Sequence, residues 1–350
     1  MSEARPALRA ACHRRDVERD GWPTVSVVVP VRNEGPTLER AVVSILSQDY
    51  PRPFDVCLAV APSDDDTAAV AARLAAAHDR VHVVDNPAGV TPAGLNAAIS
   101  ATSGSIVVRV DGHAELSDGY ITRAVETMCR TGAVNVGGMQ VPRPESPFEE
   151  AVASATTSWV GTGGATYRVG GAEGAVDTVY LGVFDRSAGN AVGWFDQTLI
   201  RNQDYELNIR LRRAGGDVWF DPALSVGYRP RGTWRALAEQ YYEYGWWKLE
   251  VLRRYPESLR ARQAAAALVV PGAAFAAVAV LRSRRLRQAG IVVGVLTVVA
   301  GRRAPRLTRT AGVLLVSQLS WSTGFLARLL RPGKRTEPAL LRTPRVASCE

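Results

Sequence analysis

Four apolar segments, each closing on polar residues and each separated from the next by a stretch with helical spacing, constrain this chain more than any other feature. Residues 24–31 read TVSVVVPV and leave into RNEGPT; FDVCLAVA, RVHVVDNP and SIVVRVD follow. Between them TLERAVVSILSQ, DDDTAAVAARLAAAH and TPAGLNAAISATS carry the periodicity of amphipathic helices. Strands that are apolar without alternation are buried on both faces, so the pattern predicts a parallel sheet covered by helices on either side. Ligands of such sheets bind at the carboxyl ends of the strands, where RNE, PSDDD and DGH all fall.

Beyond residue 135 the periodicity loosens into Gly-rich segments such as GTGGATYRVGG, which read as loops over a site. RNQDYELNIRLRRAG then predicts a helix stopped by Gly215 and Gly216, DVWFDPALSVGYRP a strand, and TWRALAEQYYEYGWWKLEVLRRYP a long aromatic helix ending before Pro256. After Arg262 the composition changes. Residues 264–281 hold 18 residues without a charge, close to the minimum for a membrane span, 289–301 form a shorter apolar stretch, and 311–330 reach spanning length. The bland alternative is a buried helical subdomain. The arginines of RSRRLR, RRAPRLTR and RPGKR fence these stretches and favour a membrane anchor with the basic loops on the cytosolic side. Basic loops on both sides of the middle segment conflict with a full span there and leave the topology open. The net charge of +8 is therefore clustered around apolar segments instead of lining a groove, which argues against a nucleic-acid partner.

The first residues, MSEARPALRAACHRRDVERDGWP, read as a polar lead-in without the apolar core of a signal peptide. Cys12, Cys57, Cys129 and Cys349 lie far apart with no CxxC, so neither a disulfide framework nor a cysteine zinc site is expected, and the first two-thirds should face a reducing cytosol.

In RVDGHAEL, Asp111 and His113 alternate around Gly112 and share one side of an extended strand end. A carboxylate and an imidazole suit a divalent cation, Mg2+ or Mn2+, that takes its remaining ligands from a diphosphate; a capped strand end with a surface histidine is the plain alternative. Pro30, Arg32, Asn33 and Glu34 offer amides, a guanidinium and a carboxamide beside the first strand, and Asn96 lies in a helix whose opening N–H groups suit an anion or a ribose. Asp204, in RNQDYELN, is a candidate general base, or simply an acid favoured near a helix N-terminus. The aromatics of QYYEYGWWK suit sugar rings, although such a stripe is more often packed or interfacial.

These segments, in this order, resemble the family 2 glycosyltransferases of GT-A fold: VSVVVPVRNEGPTLERAVVSILSQDYP, then GLNAAISATSGSIVVRVDGHAEL, then GWFDQTLIRNQDYELNIRLRRAG. Asp-x-His in place of Asp-x-Asp, the loop GTGGATYR and the segment QYYEYGWW are similar to the succinoglycan-biosynthesis type of bacterial glucosyltransferase. The resemblance covers residues 24–255 and implies a Rossmann-like mixed sheet. It further implies a nucleotide-sugar donor, UDP-linked, held by Pro30, Arg32, Asn33, Glu34, Asp65, Asn96 and Asp111. Asp111 and His113 would contact metal and diphosphate and Asp204 would be the catalytic base. Arg168, Trp194 and Asp196, with Gln240, Trp246 and Trp247, would surround the acceptor. Two departures stand out: AVAPSDDDT replaces the family's acidic, Gly-rich segment, with Val60, Ala61 and Pro62 where an acid and glycines are usual, and Gln203-Asp204 replaces Glu-Asp. Losing a neighbouring carboxylate should favour an ionised Asp204.

The expected organisation is a flexible lead-in at 1–22, a GT-A domain at 23–262, hydrophobic membrane-anchoring helices at 263–331 and a polar tail at 332–350. The expected activity is inverting transfer to a lipid-linked saccharide, in exopolysaccharide or envelope glycan synthesis, by a cytoplasmic domain at the cell membrane. The alternative is a catalytically silent, membrane-bound nucleotide-sugar-binding protein. A processive synthase is disfavoured by Glu243 after Gln240-Tyr-Tyr, where a Gln-x-x-Arg-Trp signature would place arginine.

Overall fold

The computed structural model describes residues 8–12, 17, 21–285, 288 and 304–331. The chain divides into two compact units, Met1–Pro230 and Arg231–Glu350. The first is built on one sheet of β1 (Val25–Val31), β2 (Asp55–Val60), β3 (Val81–Asp85), β4 (Ile106–Arg109), β5 (Glu115–Leu116), β6 (Asn135–Pro142), β7 (Gly174–Ala175), β8 (Tyr180–Asp185) and β9 (Val218–Tyr228). The strand order is β3-β2-β1-β4-β8-β6-β9-β5, with β7 also on β9. β1 pairs in parallel with β2 and β4, and β2 with β3. β8 then runs antiparallel between β4 and β6, and β9 returns parallel to β6, so the sheet is mixed.

The all-apolar strands serve two core layers at once. Val27, Val29 and Val31 of β1 join one cluster with Val56 and Leu58 of β2, while Val28, Cys57 and Ala59 face the other. That period of two explains why these strands show no polar face. The predicted helices are present at Gly35–Leu46, Thr67–Ala77, Thr91–Ser100 and Gln203–Arg213.

Two expectations differ. The Gly-rich region after residue 135 holds β6 and β8, not loops alone. Glycines hide this strand because the fold needs them there: a Cβ on Gly138 would stand 2.0 Å from the Leu224 carbonyl oxygen, at the register shift between β6 and β9. The described part of the lead-in is also docked. Ala10 N–H donates to Gly132 O at 3.1 Å, Ala11 N–H to Asp185 Oδ2 at 2.8 Å, and Cys12 is disulfide-bonded to Cys129. A separation of 117 residues concealed the pairing, since spacing in sequence carries no information about proximity across a fold.

The second unit pairs the helices Trp234–Arg254 and Pro305–Leu329. Their backbones touch where side chains are missing: a Cβ on Gly245 would meet Trp321 O at 2.0 Å, and one on Gly324 would meet Tyr242 O at 2.0 Å. The first apolar stretch is broken at Leu268 into the helices Ala261–Ala267 and Val269–Arg282. Pro271 has no N–H to give Ala267 O; Ser322 Oγ donates to that oxygen at 3.0 Å and accepts from Val270 N at 3.2 Å. Among the described residues no helix is long and apolar enough to cross a membrane. The expected segment 289–301 lies outside the described residues.

Candidate active site

The chemistry gathers at one edge of the sheet, the carboxyl ends of β1, β4, β6 and β9 and the opposite end of antiparallel β8. β4 ends in Arg109, 5% exposed although it closes an otherwise apolar strand. A buried guanidinium demands opposite charge. Arg109 Nη2 donates to Asp111 Oδ1 at 2.8 Å, and its Nε lies 3.3 Å from Asp204 Oδ1, an ion pair without hydrogen-bond alignment. The metal-binding candidate and the base candidate, 93 positions apart in the chain, thus share one buried cation.

Asp204 stands in the first turn of the helix Gln203–Arg213, whose cap residue Asn202 has φ of 63° and gives no side-chain cap bond. Its Oδ1 is buried against Arg109, yet the side chain as a whole keeps 31% exposure. Oδ2 is therefore the oxygen that can meet a hydroxyl. Burial pushes the carboxyl up from its ordinary value, Arg109 opposes the rise, and the charge of Asp111 adds to it. Gln203 adds no charge to that balance, whereas a glutamate there would add a further repulsion.

His113 is held by Glu34. Its Nδ1 lies 2.8 Å from Glu34 Oε1, while Glu34 Oε2 accepts from Thr37 Oγ1 at 2.9 Å. A carboxylate can only accept, so Nδ1 carries the proton in this contact, an arrangement that orients an imidazole. Glu34 therefore also orients His113. Among the described residues no third His, Cys, Asp or Glu joins Asp111 and His113 to form a protein-only cage. A two-member set of one carboxylate and one imidazole fits a divalent cation completed by phosphate oxygens.

The remaining candidates are distributed as follows. Pro30 lies in β1 opposite Ala59, Arg32 donates to Gly89 O at 3.1 Å, and Asn33, with φ of 54°, accepts from Asp64 N at 2.8 Å. Asp65 caps the loop: Oδ2 accepts from Gly35 N at 3.0 Å and Oδ1 from Thr67 N at 3.0 Å, and the Thr67 hydroxyl bond leads the causes that hold its carboxyl below the usual value. Both ends of the Asn96 amide hold the Phe195 backbone, at 2.8 and 3.1 Å. Trp194 is buried in the core against Phe184, with Nε1 donating to Asn190 Oδ1 at 2.7 Å. Asp196 Oδ1 accepts from Thr198 N at 2.8 Å, and the Arg168 guanidinium lies 5.7 Å from the Tyr167 ring centroid.

Gln240, Trp246 and Trp247 belong to the second unit. Gln240 is half-buried and both tryptophans are buried; Trp246 packs between Tyr242, stacked at 6.1 Å, and the Arg328 guanidinium at 5.4 Å. The plain reading of that aromatic stripe, a packed helix, describes Trp246.

Arg109 was missed in the sequence; an arginine ending an apolar strand was the available signal. Among the described residues, those other than glycine with positive φ are Asn33, Leu181, Trp194 and Asn202. Three of them directly precede Glu34 or lie within two positions of Tyr180 or Asp204, consistent with backbone strain gathering at functional sites.

Residues 26–196 match the model of the glycosyl transferase family 2. The chain is 29% identical over 311 residues to the succinoglycan biosynthesis protein ExoA of Rhizobium meliloti (strain 1021), covering 87% of this chain and 94% of that protein. It is 22% identical over 230 residues, 63% of this chain and 71% of the relative, to the dolichyl N-acetyl-alpha-D-glucosaminyl phosphate 3-beta-D-2,3-diacetamido-2,3-dideoxy-beta-D-glucuronosyltransferase of Methanococcus voltae. Among solved structures, the mannosyltransferase PcManGT from Pyrobaculum calidifontis, in complex with GDP-Man and Mn2+, is similar in fold, with a TM-score of 0.62 over 87% of each chain at 19% identity. The family match spans Glu34, Asp111 and His113, and the ExoA likeness runs on through Asp204; residues 26–196 are a glycosyltransferase family 2 domain.

Proposed function

We propose that the protein transfers one sugar, with inversion, from a nucleoside diphosphate sugar to a hydroxyl of a lipid-linked saccharide at the cytosolic face of the cell membrane. The observation that carries this reading is the single buried Arg109 between Asp111 and Asp204. It keeps the diphosphate end of the site and the proton acceptor at fixed separation, which is what a direct displacement requires.

Asp204 Oδ2 takes the proton of the acceptor hydroxyl, whose oxygen forms a bond to the anomeric carbon as the bond from that carbon to the diphosphate breaks. The nucleoside diphosphate leaves with the electron pair. Asp111 and His113 would hold a divalent cation, Mg2+ or Mn2+, which would supply positive charge against that of the departing diphosphate. Arg109 keeps Asp204 competent as a base by opposing the effect of its burial.

A lipid-linked acceptor is supported by the Methanococcus voltae relative, whose name concerns a dolichyl phosphate saccharide. It is supported too by the second unit, where Leu268, Phe275, Leu281 and Leu307 are 66–78% exposed near Arg282, Arg284, Arg285 and Arg306. Apolar side chains beside arginines suit an anionic bilayer surface. A UDP-linked donor is the reading carried over from the family resemblance.

Purified full-length protein with Mn2+ and a panel of nucleotide sugars should release nucleoside diphosphate from one or two donors, UDP sugars first. No release from any donor would support the catalytically silent alternative.

A further inference from the structure

Three tyrosines sit side by side at the site edge: Tyr167 stacks on Tyr180 with centroids 6.4 Å apart, and Tyr228 tilts against Tyr180 at 6.5 Å. The strand register explains the place of Tyr180. β8 pairs with β4 at Val108↔Val183, so the same antiparallel step continued brings Tyr180 level with Asp111. On the next strand, Gly138 of β6 pairs with Tyr180, and Gln140 lies two positions farther toward the same edge. Gln140 is 8% exposed and shares a side-chain hydrogen bond with Tyr180, but its Oε1 is buried with no hydrogen-bond partner. Turning the amide over would only exchange which end is left over. A buried amide with one idle end is rare in a native fold and marks a place where a ligand completes the bonding.

Strands step about 4.8 Å apart, so Gln140 stands roughly 10 Å beyond β4 on the side away from β1 to β3. The β1 loop and β4 hold the nucleotide and diphosphate candidates, so a group two strands farther along meets the next sugar in line. Half-buried tyrosine rings beside a lone amide make the mixture of apolar face and polar handle that a pyranose ring needs. We propose that Gln140, with the Tyr180 ring beside it, forms the subsite for the acceptor saccharide, its free amide end bonding a ring hydroxyl. The inference rests on the transferase reading above and adds where the acceptor ring lies.

The test titrates octyl β-glucoside, octyl β-galactoside and octyl β-mannoside, below their micellar concentrations, into full-length protein carrying Mn2+ and UDP, and follows intrinsic fluorescence. Gln140→Met keeps the length of the side chain and deletes the amide; Tyr180→Phe keeps the ring and deletes the hydroxyl. At least one glycoside should bind wild type, and Gln140→Met should weaken it about tenfold, with Tyr180→Phe weakening it less. The thermal midpoint of Gln140→Met should stay within about 3 °C of wild type, because removing the idle buried carbonyl offsets the lost contact with Tyr180. Slow hydrolysis of the donor, read as nucleoside diphosphate, should stay within about twofold of wild type, a change worth less than one hydrogen bond. No glycoside binding to wild type, unchanged binding by both variants, or an equal loss of donor hydrolysis would each overturn the proposal. Absence of donor hydrolysis by wild type would instead overturn the transferase reading on which it rests.

Discussion

Arg109 sets the electrostatics of the site. Its two contacts come from different nitrogens, Nη2 to Asp111 and Nε to Asp204, and only a planar guanidinium spans both. Arg109→Lys keeps the charge but offers one point donor, so the fold should survive while kcat falls about 10–100-fold, the cost of misplacing a reacting group by about 1 Å. Steady-state release of nucleoside diphosphate beside a thermal melt checks this; equal kcat in a folded Lys variant would remove the role. The pH profile carries the same logic. Asp204 must be ionised to accept a proton, and its carboxyl is raised by burial, so activity should fall with decreasing pH earlier than an ordinary aspartate near ~3.9 would dictate. Arg109→Met, lacking the opposing charge, should move that acid limb higher still.

At the scale of elements, the helix Tyr120–Thr131 is tied to β9 by a pair that illustrates acid sensitivity. Asp221 is fully buried and receives Arg123 through Nε at 2.9 Å and Nη2 at 3.1 Å, with Thr127 Oγ1 at 2.9 Å. Burial alone would raise its carboxyl, but the Arg123, Ala223 and Thr127 bonds prevail and hold it below the usual value. A lowered carboxyl contributes stability that is present above its unfolded value and lost as pH falls through the folded one. Asp221→Asn should therefore cost about 1–2 kcal/mol at neutral pH, the worth of a charge-assisted bond whose arginine is half exposed, and flatten the acid limb of the stability curve. Urea melts at neutral and acid pH would show it; an unchanged midpoint would contradict it. The elements also show what sequence can carry. β1 to β4 and their helices were legible because burial on both faces leaves continuous apolar runs, and Asp111, His113 and Asp204 because they punctuate those runs. β6 was hidden by Gly137-Gly138, needed for backbone proximity to Val179 and Leu224. The internal contacts of Glu34 and Asn96 were not legible, because their types suit a ligand as well as an internal clamp, and only the fold brings His113 and the Phe195 backbone beside them.

For the whole molecule, the disulfide between Cys12 and Cys129 closes a loop of 117 residues, worth roughly 4–5 kcal/mol in the chain-entropy account under oxidising conditions and nothing where a reducing cytosol keeps the pair as thiols. The expectation that the cysteines stand apart is thereby revised. Association with lipid is the other molecular-scale claim. Flotation with vesicles holding anionic lipid should carry the full-length protein, whereas vesicles of neutral lipid should carry less, since each basic residue near the surface adds about 1 kcal/mol; equal recovery from both, or none from either, would contradict that placement. The central claim is that Asp204 removes the acceptor proton beside a donor held at Asp111. Its most direct measurement compares donor affinity with turnover in Asp204→Asn. Donor binding in Mn2+ should stay within about threefold of wild type while transfer falls by about 10²–10⁴-fold, the usual worth of a general base. A folded Asp204→Asn protein that turns over at the wild-type rate would contradict it.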